Sequence, residues 1–248
     1  MVKDFRKWFL SRIKKAITDY GMIDEGDRVA VGMSGGKDST SLLHALALIR
    51  RAAPVKFRLY AVYVDLGWSV DAPLLEEFCR TRETGFHVVK TDIAEIVFEA
   101  RGGKNPCAIC AHLRRGAFHQ KALELGCGKV ALGHHLDDVI ETFFMSLFYT
   151  GQLRTFAPST FLDRSGLTMI RPLVYVPAEE VRCWAELEKL PVLTNPCPVN
   201  GHTKREEARE LVTGLVERIP GLRARFLNAL QNFDNRNLWP VIGLKKEP

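Results

Sequence analysis

Residues 34–39 read Ser34-Gly35-Gly36-Lys37-Asp38-Ser39. The apolar run before them, residues 28–31, predicts a short buried strand, and residues 39–46 predict the start of a helix. Glycines in a turn leave backbone N–H groups free to point toward an anion, and the N-terminus of a helix carries partial positive charge. The stretch therefore predicts a phosphate-binding loop rather than an ordinary strand–turn–helix connection.

The loop is not a Walker A motif. That motif requires a glycine, four residues and then Gly-Lys-Ser/Thr, whereas here residue 31 is valine and Asp38 follows Lys37. The loop must belong to another class of nucleotide-binding protein.

Strand-like and helix-like patterns alternate along most of the chain. The predicted strands are residues 29–32, 58–64, 87–89, 130–132 and 169–171. The predicted helices are residues 3–20, 39–50, 72–82, 93–100, 108–125, 137–149, 178–189, 204–218 and 222–232. Such alternation favours an α/β fold with a doubly wound, mostly parallel sheet, in which ligands bind beyond the carboxyl ends of the strands.

The pattern predicts three parts. An amphipathic N-terminal helix lies in residues 1–25, the nucleotide-binding α/β domain spans residues 26–200, and a helical tail follows in residues 201–248, with its last six residues frayed. The N-terminal helix is expected to dock on the body of the domain, with a basic face that could touch RNA.

Composition restricts the class of protein. The chain has 248 residues, 46% of them hydrophobic, and a net charge of +6, which suits an anionic partner. No run of about eighteen apolar residues indicates a membrane span, and no signal peptide is recognisable. Six cysteines in a chain large enough to form a core favour thiols in a reducing cytoplasm over disulfides.

Cys107-Ala108-Ile109-Cys110 is predicted to open a helix, where a thiol pKa is lowered. A C-x-x-C pair can be a redox pair, half of a zinc site or part of an iron–sulfur site. No second such pair exists, and Cys197, held between two prolines, is the expected partner. Three thiolates without an evident fourth ligand suit an iron–sulfur cluster with one open iron. Cysteines 79, 127 and 183 are expected to be buried apolar fillers.

Arg114 lies four residues after Cys110 and is predicted to share its helix face. It would then stand between the cysteines and the nucleotide phosphates. A plain surface arginine is the alternative.

A second motif, Gly133-His134-His135-Leu136-Asp137-Asp138, falls at another predicted strand–helix junction. Asp137 and Asp138 could hold magnesium or position ATP, although aspartate is also a common helix cap. Consecutive histidines point apart, so joint metal ligation is not expected, and one of them is expected to approach the nucleotide.

Taken together, these segments resemble the tRNA 2-thiocytidine synthetases, a branch of the PP-loop ATP pyrophosphatases. The resemblance covers residues 28–197. It is carried by the SGGxDS loop, the C-x-x-C pair and four further segments: Leu113-Arg114-Arg115-Gly116, residues 133–138, Phe148-Tyr149-Thr150-Gly151 and Ile170-Arg171-Pro172-Leu173.

The resemblance implies that ATP with Mg²⁺ adenylates the C2 carbonyl oxygen of a pyrimidine in tRNA. Sulfide carried by a 4Fe–4S cluster would then displace AMP. The residues implied to bind ATP are Met33, Ser34, Gly35, Gly36, Lys37, Asp38, Ser39, Val64, Gly133 and His134. The implied catalytic residues are Lys37, Asp38, Arg114, Asp137 and Asp138, and the cluster ligands are Cys107, Cys110 and Cys197.

The resemblance also implies partners, namely tRNA and a sulfur donor, either a cysteine desulfurase or free sulfide. A homodimer is a further expectation. Two segments depart from the family pattern: residues 196–201 hold one cysteine where relatives often have two, and residues 64–68 read Val-Asp-Leu-Gly-Trp.

Three alternatives remain at this point. A lysidine-type ATP-dependent tRNA ligase would not need the cysteines. A non-catalytic ATP-binding metal or redox sensor would not cleave ATP. A zinc-stabilised domain would unfold without its cysteines but hold no iron.

Overall fold

A computed structural model describes residues 2–68, 72–100, 106–194, 196–197 and 204–233. Its helices are α1 Val2–Asp19, α2 Lys37–Ala52, α3 Ala72–Arg80, α4 Ile93–Glu95, α5 Pro106–Glu124, α6 Leu136–Thr150, α7 Ala178–Leu187, α8 Lys204–Arg218 and α9 Leu222–Gln231. Its strands are β1 Arg28–Met33, β2 Arg58–Asp65, β3 Gly85–Lys90, β4 Lys129–Ala131, β5 Ser159–Leu162 and β6 Leu167–Ile170.

The six strands form one sheet in the order β3-β2-β1-β4-β6-β5. Five are parallel, and β5 pairs with β6 in the antiparallel direction. The predicted doubly wound, mostly parallel sheet is confirmed. Because β1 lies between β2 and β4, the loops after these three strands meet at one edge of the sheet.

Strand β5 is absent from the sequence prediction. It is an edge strand whose side chains are half-buried or exposed, so it lacks the continuous apolar run that marks the inner strands. A turn with Gly166 in a left-handed conformation (φ +69°) joins it to β6. The glycine in this turn was the sequence feature from which the hairpin of β5 and β6 could have been predicted.

Helices cover both faces of the sheet. One buried cluster joins α1, α2 and α7 to the sheet and includes the fully buried Phe9, Leu46 and Trp184. The other joins α5 and the segment after β3 to the opposite face and includes Val97 and Phe118. Packing on both faces of the sheet therefore holds in place the loops that follow the carboxyl ends of the strands.

Helix α1 docks on the body of the domain as expected. Its Phe9 and Ile13 are fully buried, and the Phe9 ring stacks on Trp184 with centroids 4.3 Å apart. Trp184 lies on α7 beside Cys183, which is exposed. The prediction of a buried Cys183 is therefore wrong, because neighbouring helix positions point in different directions. Cys79 and Cys127 are buried as predicted, and burial raises the pKa of Cys127 to about 11.

The predicted helix over residues 93–100 is only partly α-helical. One α-helical turn, Ile93–Glu95, continues as a π-helix over Ile96–Ala100. Single π-helical turns of this kind occur often beside functional sites.

Both predicted tail helices, α8 and α9, are present. The expected fraying of residues 243–248 lies outside the described residues, and the three predicted domain boundaries stay predictions. Within the described residues, the structure contains no helix with the length and apolar character needed to cross a bilayer.

Candidate active site

The predicted phosphate loop connects β1 to α2. The Ser39 hydroxyl accepts hydrogen bonds from the Ser34 backbone N–H and hydroxyl, both at 3.2 Å, and donates to the Gly36 carbonyl at 2.9 Å. No side chain caps the N-terminus of α2 at Gly36. The first N–H groups of the helix therefore point outward from a turn that its two serines hold in shape.

Gly35 ties this loop to a distant part of the chain. Its φ is +79°, and an added Cβ would lie 2.9 Å from Leu193 Cδ1, so a side chain here would be both strained and crowded. The Leu193 N–H donates to the Gly35 carbonyl at 2.9 Å. Leu193 lies four residues before Cys197, so this contact holds the chain close to that cysteine in sequence against the phosphate loop.

The loop after β4 packs against the same helix start. A Cβ on Gly133 would lie 2.9 Å from the Asp38 backbone carbonyl carbon and oxygen. A glycine is therefore needed for the two loops to approach each other.

His135 caps α6 and faces the phosphate loop. Its Nδ1 accepts from the Asp138 backbone N–H at 3.3 Å, and the Asp138 carboxylate accepts from the His135 N–H at 2.8 Å. The His135 Nε2 stands 3.9 Å from Asp38 Oδ1 on the loop. Asp38 also pairs with the Lys37 ammonium at 2.6 Å.

The two carboxylates predicted to hold magnesium are engaged with the C-terminal helices. Asp137 accepts from Arg223 at 2.8 Å and from the Ala178 N–H at 2.7 Å. The second Asp138 oxygen accepts from Arg205 at 2.6 Å. Burial acts to raise the pKa of Asp138, but the charges of His135 and Arg205 outweigh it, so the net pKa is lowered. Through these contacts, the two carboxylates hold the C-terminal helices α8 and α9 against α6.

Buried Glu141 completes this contact between α6 and α8. It pairs with Arg205 at 3.3 Å and with Arg209 at 3.2 Å. Burial and then the neighbouring Asp138 charge raise the pKa of Glu141. These arginines are absent from the predicted site, although their spacing of four residues on α8 matches carboxylates three apart on α6.

The three cysteines expected to bind a cluster lie near one another. Cys107 and Cys110 are on the first turns of α5; Cys107 is exposed, whereas Cys110 and Cys197 are half-buried. Burial raises the pKa of Cys110, nearby Cys197 and Cys107 raise it further, and Arg114 lowers it. The prediction that the helix N-terminus lowers the thiol pKa is wrong for Cys110, because burial raises this pKa.

A cavity of about 170 Å³ joins the phosphate loop to the cysteine-bearing segments. Residues from four parts of the chain line it, among them Met33, Ser34, Gly36, Val64, Trp68, Arg114 and Pro196. A larger cavity of about 560 Å³ lies between α1, α6 and α9 and shares no lining residue with it. We place the site at the smaller cavity because the phosphate loop and Arg114 border it.

Comparison with known proteins identifies the family. Residues 6–214 match the family described as the PP-loop domain. The chain is 41% identical over 242 residues to a tRNA-cytidine(32) 2-sulfurtransferase of Citrifermentans bemidjiense, which covers 96% of this chain and 94% of that protein. A protein of the same name from Syntrophotalea carbinolica is 44% identical over 229 residues, or 90% of this chain and 88% of the relative.

The chain belongs to the tRNA-cytidine(32) 2-sulfurtransferase family. Among solved structures, it is similar to a U34-tRNA thiolase from Methanococcus maripaludis that was determined with its 4Fe–4S cluster. The TM-score is 0.75 at 23% identity, covering 93% of this chain and 79% of that chain. This likeness shows that the fold is shared.

In this member of the sulfurtransferase family, His134 is held as a neutral hydrogen-bond acceptor. Its Nδ1 accepts from Arg171 Nε at 3.3 Å, and its ring packs on Phe156 with centroids 5.0 Å apart. Burial, followed by the charge of Arg171, lowers the pKa of His134 to about 4. The sequence identifies Arg171 only as part of a motif. Its contact with His134 depends on how the chain folds and could not be predicted.

The lowered pKa predicts how stability depends on pH. Between about pH 6.5 and pH 4 the unfolded chain holds a proton on His134 that the folded chain does not, so stability falls as the pH falls. The full loss is about 3 kcal/mol of unfolding free energy. His134→Gln keeps an acceptor for Arg171 and should flatten this dependence in denaturant titrations from pH 7 to pH 4.

Exposed His112 on α5 provides the control. His112→Gln should retain the wild-type pH dependence. An unchanged slope in His134→Gln would contradict the assigned protonation state.

Proposed function

We propose that this protein is an ATP-dependent tRNA sulfurtransferase that converts cytidine to 2-thiocytidine. The observation that carries the proposal is the cavity between Ser34 and Gly36 on one side and Arg114 and Pro196 on the other. It adjoins both an anion-binding loop and cysteine-bearing segments. The names of the full-length relatives supply the substrate, a cytidine in tRNA.

The phosphate loop serves the first half-reaction. The outward-facing N–H groups at the start of α2 and the Lys37 ammonium bind the ATP phosphates. The base's C2 carbonyl oxygen attacks the α-phosphorus, and the bond to the β-phosphate breaks with release of pyrophosphate. This step makes the oxygen a good leaving group, which a carbonyl oxygen in an amide-like ring otherwise is not.

Magnesium is assigned to Asp38. The carboxylates of Asp137 and Asp138 are engaged by arginines and the α7 backbone, whereas Asp38 stands on the phosphate loop and pairs there with Lys37, which is itself proposed to bind the phosphates. When bound, the ion would offset phosphate charge.

Cys107, Cys110 and Cys197 fit an iron–sulfur cluster better than a single ion. Within the described residues, no three His, Cys, Asp or Glu side chains are grouped as ligands of one metal ion. The cysteines nevertheless lie near enough for Cys107 and Cys197 to raise the pKa of Cys110. A cluster of four irons spreads its thiolates more widely than one ion does.

When bound, the cluster would supply sulfide as the nucleophile of the second half-reaction. The sulfide adds to C2 of the adenylated base, the bond from C2 to oxygen breaks, and AMP leaves with that oxygen. Arg114, near Cys110 and on the cavity wall, balances the negative charge of the phosphate as AMP departs. With free sulfide as the donor, no oxidant or reductant is required; sulfur from a cysteine desulfurase arrives as a persulfide, and a thiol reductant must supply two electrons to release it as sulfide.

A cysteine desulfurase or free sulfide would supply the sulfur. A homodimer and a cytoplasmic location also remain part of the proposal. The arginines of α8 and α9 hold these two helices on the catalytic domain.

The test is the reaction with defined substrates. Protein reconstituted with iron and sulfide under anaerobic conditions is incubated with unmodified tRNA, ATP, Mg²⁺ and sulfide, and the nucleosides are analysed by mass spectrometry. We expect 2-thiocytidine together with equal amounts of AMP and pyrophosphate. Lysine-dependent AMP formation without a thionucleoside would support the lysidine-type ligase, and ATP binding without cleavage would support a sensor.

A further inference from the structure

A tightly held turn after β2 places an indole in the wall of the site. The Asp65 carbonyl accepts from the Thr91 N–H at 3.1 Å and from the Thr91 hydroxyl at 2.7 Å. The Gly67 N–H donates to the Asp65 carboxylate at 3.0 Å, and the Ala94 N–H donates to the Leu66 carbonyl at 2.9 Å. Four hydrogen bonds thus fix the backbone that leads to Trp68.

Trp68 lines the cavity together with Ser34, Gly36 and Arg114. Its ring packs on Phe98 of the π-helical segment, with centroids 6.1 Å apart. Phe98 belongs to the same apolar cluster as Ile109 and Cys110, and the π-helical segment packs against α5. Trp68 is therefore connected through Phe98 to the helix that carries two of the three cysteines.

The two proposed steps require the plane of the pyrimidine ring to be fixed within the cavity. Adenylation takes place at the carbonyl oxygen, and sulfide adds to C2 from one face of the ring. An aromatic wall against the other face would fix the ring plane without blocking either reagent. Proteins that act on a base in RNA commonly stack the unstacked base on an aromatic side chain.

We propose that Trp68 is the stacking wall for the pyrimidine base that undergoes thiolation. This inference rests on the proposed function and adds a base subsite to it. The indole holds the unstacked base between the phosphate loop and the cysteines, and the Arg114 guanidinium lies at the same cavity. The adenine of ATP is the competing occupant, which the test separates from the base.

The experiment compares Trp68→Ala with Trp68→Phe. Trp68→Ala should lower kcat/KM for tRNA about tenfold or more, because base–aromatic stacking contributes that much per base. The Kd for ATP should stay within about twofold of wild type. Trp68→Phe retains an aromatic face and should recover most of the loss. Trp8→Ala, which removes an exposed indole on α1, is the matched control and should leave both quantities unchanged.

A binding readout separates this inference from the proposed function. An anticodon stem–loop RNA with the fluorescent base pyrrolocytosine at position 32, the position named for the relatives, is titrated with each protein. Wild type and Trp68→Phe should quench the fluorescence by stacking, and Trp68→Ala should not. Quenching by a wild-type protein that forms no thiocytidine would support the subsite while rejecting the sulfurtransferase.

Two results would overturn the subsite. In the first, Trp68→Ala weakens ATP binding about as much as it lowers kcat/KM for tRNA, which would place adenine against the indole. In the second, Trp68→Ala quenches pyrrolocytosine as well as wild type does, which would place the base elsewhere.

Discussion

Replacing Lys37 with alanine is expected to reduce ATP-dependent pyrophosphate release at least about 100-fold. Lys37 is the first residue of α2, and its ammonium stands at the phosphate loop, 2.6 Å from Asp38. Removing it takes away a positive charge that faces the phosphates and the partner of the Asp38 carboxylate. Pyrophosphate release in the presence of tRNA measures the effect.

Iron content distinguishes a local effect of Lys37→Ala from misfolding. The proposed cluster ligands lie on α5 and in the segment after α7, so iron bound per chain should equal that of wild type. Lys37→Arg retains charge and should recover part of the activity. Lys56→Ala, an exposed lysine just before β2, is the control and should behave as wild type. Unaltered pyrophosphate release in Lys37→Ala would mean that the loop does not bind ATP.

Replacing Cys197 with serine is expected to abolish stable cluster binding and, with it, thiocytidine formation. The variant lacks one of the three proposed thiolate ligands, and an alcohol is a poor ligand for iron. The fold should persist because Cys197 is only half-buried and outside the apolar clusters. Iron, acid-labile sulfide and zinc content, with a visible spectrum on anaerobically purified protein, measure the first effect.

Cys183→Ser provides the matched control, since this cysteine is exposed on α7. It should keep full iron and activity. Thermal unfolding of Cys197→Ser should stay within a few degrees of that of the wild-type apoprotein. Full iron retention in Cys197→Ser would exclude it as a ligand, and zinc in place of iron would favour the zinc-stabilised domain.

Much of the fold could be predicted because its signals are local. The glycine-rich turn after a buried strand located the phosphate loop, and alternating strand and helix patterns gave the parallel sheet. Edge strand β5 could not be found this way, since half-exposed strands lack a strong apolar run. The buried position assigned to Cys183 was wrong because sequence adjacency to Trp184 says nothing about the face on which a side chain lies.

The site was predictable in its residue types but not in its contacts. The motif at residues 133–138 indicated carboxylates, yet the partners of Asp137 and Asp138 come from Arg223 and Arg205, roughly 65 to 90 positions later in the chain. Likewise, burial rather than helix position sets the pKa of Cys110. Such effects depend on which distant segments the fold brings together, and local patterns do not carry that information.

The hydrogen bond from the Leu193 N–H to the Gly35 carbonyl joins the phosphate loop to the part of the chain that lies four residues before Cys197. A movement of the loop that alters this bond would be a route by which the two proposed ligand sites influence each other. By thermodynamic linkage, any effect of nucleotide on cluster affinity would equal the effect of the cluster on nucleotide affinity. Measuring either affinity with and without the other ligand would reveal whether activation of the base and delivery of sulfur are coupled.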